Sequence, residues 1–94
     1  MNLGELEKLV NRGEGPTVEL KRSTGELREG LQTLCAFLNG SGGTLVFGIR
    51  SDETIEGQDV SDRTLREIAQ ALDGFELLPA LRNRGFLSIA GWGE

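Results

Sequence analysis

No histidine occurs in the 94-residue chain and Cys35 stands alone, which excludes His-ligated zinc, Ser-His triads, imidazole acid/base steps and an internal disulfide. Any chemistry falls to carboxylates, lysine, hydroxyls and the backbone. One short segment puts such groups side by side. In Thr17-Val18-Glu19-Leu20-Lys21 the alternation points Val18 and Leu20 at a core, so Thr17, Glu19 and Lys21 share the other face of a strand, an acid next to a base. Glu14 lies five residues before Glu19, on a Glu14-Gly15-Pro16 turn. A second segment, Gly40-Ser41-Gly42-Gly43, invites a phosphate-cradle reading, but no Gly-Lys-Ser/Thr follows and the loop enters a strand rather than opening a helix. It reads instead as a helix stop and a tight turn. Cys35 lies on an apolar stripe and reads as a small core residue.

Several elements must position these groups. Asn2 can cap a first short helix in which Leu3, Leu6, Leu9 and Val10 recur at helical spacing before Gly13. After the Thr17–Lys21 strand, Leu27, Leu31, Leu34, Cys35 and Leu38 form one helical stripe that Asn39-Gly40 can close in a left-handed cap. Thr44–Ile49 is a near-continuous apolar run and predicts a strand buried on both faces, with Thr54-Ile55-Glu56 folding back on it as a hairpin. Ser61 can cap a further helix that turns Leu65, Ile68, Ala69 and Leu72 inward, with Val60 stapled against Leu65. Residues 77–81 and 86–90 read as a terminal hairpin around Arg82-Asn83-Arg84-Gly85. The expected fold is α+β: two helices on one face of a mixed sheet, preceded by a short N-terminal helix, the other face or the termini being available for self-association.

Length and 37% apolar composition fit a single domain spanning 1–94. No apolar stretch is long enough to span a membrane and no basic-then-apolar leader opens the chain, so a cytoplasmic protein with no membrane partner is expected. The net charge of −5 argues against indiscriminate binding to phosphate backbones. A nucleic-acid site would have to be a local patch.

Four ordered motifs carry a family resemblance: Glu14…Val18-Glu19-Leu20-Lys21-Arg22, then Leu34-Cys35-Ala36-Phe37-Leu38-Asn39, then Gly42-Gly43-Thr44-Leu45-Val46-Phe47-Gly48-Ile49, then Ile55-Glu56-Gly57. Together they resemble the Schlafen-like Alba domain, formerly called the divergent AAA domain. The resemblance implies an Alba-like fold, a homodimer and a DNA-binding module of bacterial or archaeal transcriptional regulators. Relatives commonly continue into further domains, so the chain is also readable as a fragment of a longer protein. Schlafen members include metal-dependent endoribonucleases, and Glu14 and Glu19 match the two acids of that site. Hard carboxylate oxygens there suit Mg²⁺ or Mn²⁺, with Lys21 on the phosphate. The third acid of the pattern falls on Ser51, with Asp52 one residue later. The bland alternative makes Glu14 a loop acid and pairs Glu19 with Lys21 or a neighbouring strand.

Lys21, Arg22, Arg28, Arg50, Arg82 and Arg84 are the residues from which a DNA or RNA surface would be assembled. Trp92 could stack on a base or pack on a partner. The leading expectation is a non-catalytic nucleic-acid-binding module with no cofactor. The alternatives are a metal-dependent endoribonuclease using Glu14, Glu19, Lys21 and Asp52 with Mg or Mn, and an oligomerisation module.

Overall fold

The computed structural model describes residues 2–74, 85–89 and 91–93. In chain order these form α1 (Leu3–Arg12), β1 (Val18–Lys21), a 3₁₀ turn (Thr24–Glu26), α2 (Leu27–Leu38), β2 (Gly43–Phe47), β3 (Gln58–Val60), α3 (Asp62–Gly74), β4 (Gly85–Ile89) and β5 (Gly91–Gly93). The class is α+β, with the short N-terminal helix first. Two parallel ladders carry the strands: β1-β2-β4, with β2 central, and the smaller pair β3-β5. Antiparallel pairing is confined, among the described residues, to isolated bridges between Gly15 and Val18 and between Ile49 and Ile55.

Parallel pairing follows from connection length. The link from β1 to β2 carries α2, and that from β2 to β4 carries α3, so each strand returns in the same direction rather than doubling back. In the described half of the expected terminal hairpin, β4 lies parallel to β2 with Phe86 opposite Thr44. Residues 77–81, its other half, lie outside the described residues. The Thr54–Glu56 segment does fold back, but through the single Ile49–Ile55 bridge. β3 was not expected, because Gln58-Asp59-Val60 is too short and polar to show alternation.

Register sorts the side chains onto two faces. Glu19 lies opposite Leu45 and Lys21 opposite Phe47, while Val18 and Leu20 lie opposite Thr44 and Val46. Leu45 and Phe47 join Leu31, Leu34 and Leu38 of α2 and Ile68 and Leu72 of α3 in one apolar cluster. On the other face Val46 and Ile49 pack with Leu6, Leu9 and Val10 of α1, flanked by Val18, Leu20 and Ile55. That second face, expected to be open for self-association, is therefore covered by α1. Burying β2 from both sides accounts for its continuous apolar run.

Asn2 caps α1 by accepting from the Glu5 N–H at 2.8 Å, and Ser61 caps α3 through the Thr64 N–H at 3.3 Å. Three expectations shift. Leu3 is 63% exposed and Leu65 53%, so neither belongs to the core. The inward stripe of α3 is Ile68, Ala71 and Leu72, and Ala69 is exposed. At the end of α2, Asn39 keeps right-handed geometry and the left-handed residue is Gly42, whose N–H donates to the Phe37 carbonyl at 2.8 Å. The chain then enters β2 through Gly43, where a Cβ would stand 2.5 Å from the Phe37 ring. Only glycine fits there. Cys35 is half-buried against the α2–α3 cluster, and no helix among the described residues is long and apolar enough to cross a membrane.

Candidate nucleic-acid interface

β1 and β2 run side by side and end together, which brings Lys21 and Arg22 from the first beside Ile49 and Arg50 after the second. The Lys21 carbonyl fastens this junction by accepting from the Gly48 and Ile49 N–H groups at 2.9 and 3.0 Å. A cleft of about 540 Å³ opens here, lined by Glu14, Glu19, Leu20, Lys21, Arg22, Glu26, Ile49, Arg50, Ser51 and Glu53. Ligand crevices of open parallel sheets characteristically lie outside the carboxyl ends of the strands.

Four acidic and three basic residues line this cleft. Two of the acids are already engaged by backbone. Glu14 accepts the Leu20 N–H at 3.1 Å, capping the edge of β1 turned away from β2 beside the Gly15–Val18 bridge. Glu26 accepts the Arg22 N–H at 3.1 Å, while Ser23 accepts from Gly25 at the start of the 3₁₀ turn. The 3₁₀ turn is tied in turn to β3 by Gln58, which accepts from the Thr24 N–H at 2.8 Å and donates to its hydroxyl at 3.0 Å. Of the cations, Arg22 touches Glu56 at 3.5 Å and Arg50 approaches Asp52 at 4.0 Å, both pairs well exposed. Exposed pairs of this kind hold a side chain by a few tenths of a kcal/mol, so both guanidinium groups can be drawn to a stronger anion.

The hairpin Arg50–Thr54 forms the outer wall. Its ends are joined by the Arg50 N–H to the Thr54 carbonyl at 2.9 Å, and its turn by the Glu53 N–H to the Arg50 carbonyl at 2.8 Å. Asp52 is absent from the cleft lining and accepts the Thr54 N–H at 3.0 Å. Hydrogen bonds from the Thr54 side chain and backbone, with a smaller contribution from the Arg50 charge, hold its carboxyl below the ordinary range.

Of the residues singled out in the sequence, Glu14, Glu19, Lys21, Arg22 and Arg50 therefore meet in one cleft. Arg28 lines a separate groove with Leu27, Ala71 and Gly74. Arg82, Arg84 and the Trp92 side chain lie outside the described residues. Glu14, Glu19 and Asp52 do not form a metal-holding group in this arrangement, and among the described residues no three His, Cys, Asp or Glu side chains do. Sequence reasoning missed Glu26 and Glu53. The first had a signal in Ser23-x-x-Glu26, a capping-box spacing. The second had none, since its turn position favours glycine or asparagine.

Comparison with known proteins adds one result: the family model described as Schlafen, AlbA_2 matches residues 14–81. No curated protein and no solved structure matches the chain.

Proposed function

The chain belongs to the Schlafen, AlbA_2 family, and from that premise we propose that it is a non-catalytic nucleic-acid-binding module whose contact surface is the cleft at the carboxyl ends of β1 and β2. The family points to a nucleic-acid-related function. The observation that carries the reading to particular residues is the convergence of Lys21, Arg22 and Arg50 on one concave site of an acidic chain. Phosphate affinity comes from cations that displace counterions, and a local cluster supplies them where the net charge does not. Within this reading the protein serves as the DNA-binding module of a bacterial or archaeal transcriptional regulator, acts in the cytoplasm and works as a homodimer.

Titration of labelled single- and double-stranded DNA and RNA at low and high salt tests the reading. Binding should weaken steeply with salt. Replacing both Lys21 and Arg50 by alanine should lower affinity about tenfold and flatten the salt slope by about one unit per lost contact. Arg50 is exposed and Lys21 half-buried at the end of β1, so stability should change by less than about 1 kcal/mol. Absence of binding at low salt would overturn the proposal. Mn²⁺-dependent RNA cleavage lost in both Glu14→Gln and Glu19→Gln would replace it with an enzyme.

A further inference from the structure

Glu53 has φ 66°, and it is the one non-glycine residue at positive φ among the described residues. Any residue with a Cβ is disfavoured there, and the last position of a three-residue hairpin loop is where glycine or asparagine removes the difficulty. Glutamate does neither. Its carboxylate nevertheless has a defined place against Gly13, where its Oε2 would be 3.0 Å from an added Cβ, and the residue is among those lining the cleft with Lys21, Arg22 and Arg50. Three ion pairs join described side chains, and Glu53 takes part in none of them. Backbone strain kept at a cleft wall, with a side chain that no described ion pair uses, is the pattern of a residue retained for a ligand.

We propose that Glu53 is a specificity-determining residue that makes the cleft prefer an unpaired guanine in single-stranded nucleic acid. The inference rests on the nucleic-acid reading above and sharpens its ligand. An ionised carboxylate only accepts hydrogen bonds, and phosphate oxygens also only accept, so Glu53 repels the backbone and must meet donors. Among the bases, guanine presents two adjacent donors, N1–H and the N2 amino group, which match the two oxygens of one carboxylate. In a duplex that edge is occupied by pairing, so the base has to be unpaired. A cleft of about 540 Å³ is in the range that encloses one small ligand, and it has room for a nucleotide but not for a duplex. Lys21, Arg22 and Arg50 then hold the flanking phosphates while the acid wall reads the base.

The test uses the full chain and short labelled uridine oligomers that differ only in a single central G, A, C or U, titrated at low salt. The wild-type protein should bind the central-G oligomer about fivefold more tightly than the other three, the lower end of what a bidentate base contact supplies at an exposed site. Glu53→Gln and Glu53→Gly should both erase the preference and leave the other three affinities equal or slightly raised. Glu53→Gly should also melt a few degrees higher, since glycine adopts the left-handed conformation freely. Equal affinity for all four oligomers, or a G preference that survives Glu53→Gln, overturns this inference and leaves the nucleic-acid reading standing. Failure of every oligomer to bind at low salt overturns both. A lower melting midpoint in Glu53→Gly removes the strain on which the inference is built.

Discussion

At its N-terminal end β2 is entered through Gly42 and then Gly43, the latter wedged against the ring of Phe37, and at its C-terminal end it leads through Gly48 and Ile49 to Arg50, Ser51 and Glu53. The first end has no room for a methyl group. The second opens on a cleft of about 540 Å³ lined with charge. One strand thus has a closed end specified by steric fit and an open end specified by electrostatics and hydrogen bonds. The two should respond differently to substitution. Changes at the closed end should alter folding and spare affinity, and changes at the open end should do the reverse.

The largest effect belongs to the closed end. In Gly43→Ala the new Cβ meets Phe37 at its Cβ, Cγ and Cδ2 atoms, near the root of a side chain packed against the α2–α3 cluster, so neither partner can swing aside cheaply. Overpacking of this kind should cost about 2 kcal/mol and lower the melting midpoint by about 10 °C. Oligonucleotide affinity of the folded fraction should stay within about twofold. A large loss of affinity at full stability would break the division between the two ends.

The same division explains how much of the molecule was legible beforehand. α1, α2, β1 and β2 were readable because each carries a strong period or an uninterrupted apolar run bounded by Asn2, Gly13 or the Gly40–Gly43 turn. The direction of pairing was not, since a strand's own residues do not encode whether its partner returns through a turn or through a helix. Nor was α1's partner: Leu6, Leu9 and Val10 announce a buried face without saying that it lies on Val46 and Ile49. In the site, Lys21, Arg22 and Arg50 could be named from charge, but their meeting depends on β1 and β2 ending in register. Arg28 shows the limit of that reasoning, being close in sequence to Arg22 yet turned toward α3.

A smaller effect tests whether Glu14 belongs to the edge or to the ligand. Its carboxylate accepts the Leu20 N–H, a backbone donor on the side of β1 turned away from β2 that would otherwise face solvent or another strand. Glu14→Ala should cost about 0.5–1 kcal/mol by urea denaturation, because water can replace the lost acceptor at an exposed site. Glu14→Gln keeps an acceptor oxygen and should recover most of that loss. Oligonucleotide affinity should hold or rise slightly in both, since a negative charge leaves the cleft. Unchanged stability with lost affinity in Glu14→Ala would move this residue from the sheet edge into ligand chemistry and shift the boundary of the open end to the turn before β1.

The smallest effect is a pH response at the tip of the Arg50–Thr54 hairpin. Asp52 accepts from Thr54, and those hydrogen bonds, with the Arg50 charge, favour its ionised form and put its folded-state pKa below the ordinary 3.8. For a carboxyl depressed on folding, the unfolded chain binds the proton more readily, so the contribution is fully present above the ordinary value and is lost as pH falls through the folded one. The hairpin should therefore be indifferent to pH near neutrality and loosen only in acid. Side-chain NMR should show Asp52 titrating below 3.8, and the Thr54 amide should lose protection over the same interval. Asp52→Asn should abolish that response at Thr54 while leaving Gly43 and its contact with Phe37 unaffected. A carboxyl titrating at or above 3.8 would mean that the Thr54 bonds do not hold in solution, and the outer wall of the cleft would then be set by Glu53 and the Arg50–Thr54 backbone bonds alone.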